Sequence, residues 1–367
     1  MHLGYGTNGF AHHRLDDALA IIADLGYTGV SLTLDHHHLD PYAEDFGAQV
    51  DRLAVRLDQF GLRVVVETSA PYLLDPRHEH SPTLVGDRHT VRVGYLVRAA
   101  QIAAGLGADC VSFRSGDKPA AMPHEVARSR LRSAVAEVLD GAACHDVRFG
   151  LEPTAGALVR NLDDALRLRA ELGDPDRLGI ALSVGHRVDP VAEIRRAGDR
   201  LFTVRLADAP AGVGGHTEFG VGSMDLMATL DALDEIGYVG VAAVDLPDHS
   251  HAAPVVATRA MRALRQARAC DPWLEAAEQA VRADASAIRT LFSAVSRGIP
   301  DGGRHDLARV RLLVALAESS PDLGREVRAL YDYGGPGERR GVLRGLNRIG
   351  HRIPEVGAAI IQDAHRA

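Results

Sequence analysis

Short apolar runs that read as β-strands recur eight times in the first 270 residues, and most of them end on a carboxylate or an imidazole. The runs are HLGYGT, GVSLTLD, LRVVVET, CVSFRSG, VRFGLEP, LGIALSV, LFTVRLAD and VGVAAVD. Glu67, Glu152, His186, Asp208 and Asp245 stand at or just past five of these ends. Amphipathic stretches such as LDDALAIIADLGY and VDRLAVRLDQFG separate the runs. Gly26, Gly61, Gly107, Gly173 and Gly237 close the helical stretches, because glycine takes the left-handed conformation of a helix stop cheaply. Eight βα units at this spacing predict a (β/α)8 barrel over residues 1–270, whose strand C-termini gather catalytic groups on one face. A doubly wound open sheet would carry a glycine-rich phosphate loop after its first strand. YGTNGF is not such a loop.

Strand signals stop after Cys270-Asp271-Pro272. Segments 273–282, 285–298, 305–319, 321–333, 336–349 and 354–366 show the 3.6-residue period of amphipathic helices. They predict a small all-α domain over 273–367 that packs, oligomerises or recruits a partner.

The bulk numbers exclude some classes. Net charge is −8 and Lys118 is the single lysine, so no basic field favours nucleic acid or an anionic membrane. No apolar run approaches the ~18 residues of a membrane span, and the N-terminus lacks a signal-peptide pattern. Cys110, Cys144 and Cys270 are sparse and odd in number, which predicts a reduced, cytoplasmic setting with Cys110 as a buried strand residue.

Two carboxylates from different strands, Glu152 and Asp245, suit proton abstraction beside a carbonyl and proton return. An enediolate formed this way needs a positive partner, normally a metal ion. His216 and Glu218 in GHTEFG follow the seventh strand, and His249 and His251 follow the eighth. The tract His36-His37-His38 resembles a metal motif, but adjacent side chains diverge. Glu67 is placed to bind a ligand hydroxyl or to orient Arg114.

Several of these segments together resemble the xylose isomerase-like TIM barrels of the sugar phosphate isomerase/epimerase family. They are VVVETSAPYLLDPRHEHSPTL, GADCVSFRSG, FGLEPT, GVGSMD, DEIGYVGVAAVDL and HSHAAP. The likeness covers nearly all of 1–270. Residues 273–366 resemble a shortened EboA-type domain through WLEAAEQAV, ALYDYGGPGERRGVLRGL and IIQDAHRA, which implies a setting in secondary-metabolite or modified-cyclitol production.

The barrel resemblance implies four metal ligands, Glu, Asp, His and Glu. Glu152 keeps the first position, whereas Ser183 stands for the Asp, Arg205 for the His and Asp245 for the second Glu. A guanidinium cannot ligate, and at ~4 Å and an effective dielectric of ~20 it repels a cation by about 4 kcal/mol per unit charge. We therefore expect no resident metal. A divalent Mn²⁺, Mg²⁺ or Zn²⁺ on Glu152, Asp245 and His216 is the alternative. Without a metal, Arg205 would supply the fixed positive charge, with Glu152 and Asp245 as acid and base. Glu67, Arg114, His186, His216, His249 and His251 would contact a small polyhydroxylated, sugar- or cyclitol-like substrate. A second reading is an inactive barrel that binds or scaffolds. The apurinic endonucleases share the barrel but need a zinc cluster and a basic face, which this sequence does not offer.

Overall fold

The structure is a computed structural model that describes residues 1–210, 215–268, 272–300 and 305–366. Cys270, Asp271 and the Gly302-Gly303 break lie outside these residues. The first compact unit spans Met1–Ala267 and the second Arg268–Ala367.

In the first unit, β1 (His2–Gly6), β2 (Gly29–Thr33), β3 (Arg63–Glu67), β4 (Cys110–Arg114), β5 (Arg148–Glu152), β6 (Leu178–Ser183), β7 (Leu201–Leu206) and β8 (Val241–Val244) close a barrel in chain order. Every pairing is parallel. Each strand falls inside one of the runs read from the sequence. The crossovers are α1 (Leu15–Asp24), α2 (Phe46–Phe60), α3 (His89–Gly105), α4 (His124–Gly141), α5 (Leu162–Glu171), α6 (Pro190–Ala197), α7 (Leu226–Glu235) and α8 (Ala253–Arg268). Gly26, Gly61, Gly107, Gly173 and Gly237 all take positive φ, between 61° and 88°, as helix stops require.

Val30, Val64, Val111, Phe149, Ile180 and Val204 belong to the large core that includes the helices. Val65, Cys110, Phe202, Val241 and Ala243 form a second cluster. Neighbouring strands place equivalent residues side by side, and side chains at paired positions stand on one face of a sheet. Thr33 pairs with Glu67, Glu67 with Ser112, Arg114 with Glu152 and Ser183 with Arg205. The register thus gathers charged and hydroxyl groups at the strand C-termini.

The second unit is helical: α9 (Pro272–Ala283), α10 (Ile288–Gly298), α11 (His305–Ser319), α12 (Leu323–Tyr333), α13 (Pro336–Ile349) and α14 (Pro354–Arg366). α11 packs against both α9 and α13, and its Leu312, Leu313, Ala315 and Leu316 are fully buried. A helix buried on several sides is apolar around much of its circumference. Val281, Phe292, Val327, Val342 and Ile360 complete a core that belongs to this unit alone.

Candidate active site

The C-terminal end of the barrel holds one guanidinium among three carboxylates. Arg205, on β7, is 5% exposed; Glu67, Glu152 and Asp245 are 2%, 3% and 3% exposed. Arg205 Nη2 donates to Glu152 Oε2. Its Nη1 lies 3.5 Å from Asp245 Oδ2 and 3.8 Å from Glu67 Oε2. Buried charges are tolerable only when paired in this way.

Each carboxylate has further partners. Glu67 accepts from Ser31 Oγ at 2.9 Å and from Ser112 Oγ. Arg114 Nη2 donates to Glu152 Oε1 at 3.2 Å. Asn8 Nδ2 donates to Asp245 Oδ1 at 2.8 Å. Burial by itself would raise the Glu152 pKa, but Arg205 and then Arg114 overcome it and bring the carboxyl down to about 2. Burial wins at Glu67, which is raised against the pull of Arg205 and the Ser112 hydroxyl. Burial also opposes the charge of Arg205, yet Glu152, Glu67 and Asp245 together hold it above its ordinary value.

Beside this cluster is a chain of two histidines. His216 Nδ1 lies 3.1 Å from the Asp245 carbonyl and 3.3 Å from Asp245 Oδ2. The carbonyl is an acceptor, so Nδ1 carries a proton, and in a singly protonated ring Nε2 is left with its lone pair. His186 Nε2 is 3.1 Å from His216 Nε2 and donates to it. That leaves His186 Nδ1 as the free acceptor of an exposed ring. Burial of the ring body, then His216, lower the His186 pKa, and Glu152, Arg205 and Arg114 also act on it. His186 is therefore both close to the charged cluster and biased towards its neutral form.

A cleft of about 290 Å³ opens at the ends of β3, β4 and β5, with Thr68, Ser69, His80, Arg114, Glu152 and Thr154 among its lining. Arg92, also in the wall, is spent on the carbonyls of Pro82, His80 and Thr68. Lys118 is likewise spent on the carbonyls of Pro119, Ala120 and Met122. Arg114, with a partly exposed side chain, is the cation that lines both the cleft and the cluster.

The geometry bears on several expectations. Glu152 is bound by two guanidiniums, which favour its ionised form and weaken it as a base. Glu67 contacts Ser31, Ser112 and Arg205 rather than Arg114 among the described residues. Glu218 is engaged with Arg259 in a bidentate pair at 2.5 and 2.7 Å. His249 and His251 sit on the turn after β8 and stack loosely at 6.5 Å. His249 acts on Glu218, the partner of Arg259. The histidine tract diverges as expected, with His36 on Asp40 and His38 buried against the His13 carbonyl.

Asp208 is a loop organiser. It is fully buried and accepts from the backbone N–H groups of Ala209, Gly220, Gly222 and Met224. Asn8, Ser31, Ser112 and His80 were not among the residues picked out of the sequence. A serine inside GVSLT or CVSFR is the one signal that pointed to the Glu67 partners, since the neighbouring strand positions are apolar.

The residues present do not fit the metal that the resemblance implies. The guanidinium of Arg205 lies between the carboxylates that would hold it. Glu152 faces two cations, and the Nδ1 atom of His216 is turned to Asp245. Among the described residues no group of three or more His, Cys, Asp or Glu converges as ligands.

The sequence matches the model of the xylose isomerase-like TIM barrel family over residues 19–267, and the chain belongs to that family. Solved structures agree on the fold. A D-tagatose 3-epimerase-like protein superposes with a TM-score of 0.58 at 18% identity, covering 73% of this chain and 100% of its own. An L-ribulose 3-epimerase gives 0.58 at 21%, covering 73% and 95%. The IOLI protein with a zinc atom bound gives 0.56 at 18%, covering 73% and 96%. At these identities the likeness is one of fold. A comparison with curated proteins finds none that matches.

Proposed function

We propose that the barrel catalyses acid–base isomerisation, epimerisation or a related elimination on a small polyhydroxylated, sugar- or cyclitol-like compound. Arginine takes the place of a metal ion in this reading. The observation that carries it is the Asp245–His216–His186 chain, whose outer imidazole, His186, lies within electrostatic reach of Glu152, Arg205 and Arg114. His186 Nδ1 would take a proton from the carbon beside a ligand carbonyl. The pair of electrons moves into the carbonyl, and the Arg114 guanidinium holds the resulting oxyanion, which is the electrostatic task in such reactions. Return of the proton to the other face epimerises the carbon. Return to the former carbonyl carbon, with a proton moving between the oxygens, isomerises the compound. Loss of a β-hydroxyl as water eliminates. Asp245, held by Asn8, fixes the tautomer of His216 and steadies its charge when the proton moves inward. The family match and the epimerase folds support this class of chemistry.

The test is deuterium wash-in, followed by proton NMR, on open-chain and cyclic polyhydroxyketones and their phosphates, with chelator present. We expect exchange at the carbon beside the carbonyl, insensitive to chelator. His186→Gln should lower it by roughly 10²–10⁴-fold, the usual share of a general base. Ligands that raise the melting temperature without any exchange would favour the second reading, a binding or scaffold barrel. The burial of Arg205 as a salt-bridge plug speaks for that reading. The helical unit, as an EboA-like module, would join the barrel to another copy or to a protein of the same pathway.

A further inference from the structure

We infer that His80, on the loop after β3, is a second proton-transfer residue of the barrel mouth and returns the proton on the face of the ligand that His186 does not reach. It rests on the proposed chemistry, in which one imidazole is named and the other face of the carbon has no donor.

The loop between β3 and α3 sets His80 in place. Asp75 accepts from Arg88 Nη2 at 2.6 Å and from the Arg77 N–H at 3.0 Å. The His80 N–H donates to the Pro71 carbonyl at 2.5 Å, and Arg92 Nη2 donates to the His80 carbonyl at 2.9 Å. A Cβ added at Gly116 would collide with Thr83, so the loop rests directly on the segment after β4. Between these ties His80 takes a φ of 54°. Few residues with a Cβ adopt this left-handed conformation, and those that do cluster at functional sites, where the surroundings impose it. His78 shows the contrast. Its side chain is 70% exposed and bound to Asp75, whereas His80 lines the cleft with Arg114, Glu152 and Thr154.

Barrel order puts the two imidazoles on separate sides of the rim. The cleft lies over the ends of β3, β4 and β5. The His186–His216–Asp245 chain runs over the ends of β6, β7 and β8. The Arg114 guanidinium acts on both outer rings, so a ligand held by Arg114 meets an imidazole from each side. The His80 side chain is 40% exposed, which lets it trade protons with water, and Glu79 Oε1 stands 3.5 Å from its Nε2 to steady the imidazolium. Burial, then Arg114, lower its pKa, which makes the protonated ring a ready donor. In the step, His186 takes the proton from carbon and the electron pair moves into the carbonyl. The imidazolium of His80 then gives its proton to the opposite face of the carbon as the pair returns. Solvent afterwards takes one proton from His186 and restores one to His80.

The test uses D-ribulose and D-xylulose, free and as their 5-phosphates, because the two ketoses differ only in configuration at C3. Full-length wild type, His80→Asn and His186→Gln are incubated with each in deuterium oxide, and proton NMR reads C3 exchange and interconversion separately. Asparagine suits the left-handed backbone but moves no proton. The wild type should exchange and interconvert both ketoses. His80→Asn should keep exchange from one epimer, lose it from the other, and interconvert them at least ~10²-fold more slowly. His186→Gln should keep the opposite epimer. Interconversion by His80→Asn at the wild-type rate would overturn the inference alone. So would equal loss of exchange from both epimers in a variant that melts like the wild type. Should His80→Asn melt lower, His80→Gln is read by the same criteria. No exchange of either ketose by the wild type would instead sink the proposed function, and this inference with it.

Discussion

Arg205 decides the balance of the site because, among the described residues, it alone is ion-paired to Glu67, Glu152 and Asp245 together. Removing one member of a buried ionic network leaves uncompensated charge, at a cost of about 3–5 kcal/mol. Arg205→Met should lose that much in urea unfolding at neutral pH, and a loss under ~1 kcal/mol would show that the network carries little. The two glutamates respond to pH with opposite sign. Glu152 lies below its ordinary 4.5, so its ionised form stabilises the fold above that value. This contribution is lost as the pH falls from 4.5 towards about 2. Glu152→Gln should flatten the acid limb of the stability profile in that window. Glu67 is raised, so its favourable contribution is complete below 4.5 and is lost as the pH rises through its folded value. Glu67→Gln should therefore compare better with the wild type as the pH rises. Parallel unfolding series across pH measure both, and equal slopes for all three proteins would contradict the assignment.

At the level of elements, the loop after β7 depends on one carboxylate. Asp208 gathers four backbone N–H groups, from Ala209, Gly220, Gly222 and Met224, and the loop between them carries His216. Asp208→Ala would strand the buried Ala209 donor and the partly buried donors of Gly220, Gly222 and Met224, which costs about 1–3 kcal/mol. It should speed hydrogen exchange at those amides and blunt any activity that needs His216. Unchanged exchange at Gly220 and Gly222 would contradict this. The strands were legible in the sequence because buried parallel strands are short continuous apolar runs. The glycine helix stops were legible because few residues tolerate positive φ. The polar partners were not. Which strand-end carboxylate faces ligand and which faces backbone depends on register and on loop closure, so Asp208, Glu67 and Asp245 look alike in one dimension. Arg205 stood out as a substitution within a motif, but its three-way pairing is a property of the closed barrel. The His186–His216 contact joins residues 30 positions apart and has no sequence period to betray it.

For the whole molecule, the barrel and the helical unit each own a hydrophobic core. A chain ending at Ala267 should therefore fold and unfold cooperatively, as read by circular dichroism; a molten, non-cooperative melt would show that the barrel needs the helices. No described helix is long and apolar enough to cross a membrane. The net charge of the chain is −8. The central claim is that a guanidinium, and not a metal, is the cation of that mouth. A crystal structure of the wild-type chain grown in excess Mn²⁺ or Zn²⁺, with anomalous scattering measured at the metal edge, tests this most directly. The account predicts Arg205 density among Glu67, Glu152 and Asp245 and no anomalous peak there. A peak between Glu152 and Asp245, with the arginine swung away, would contradict it.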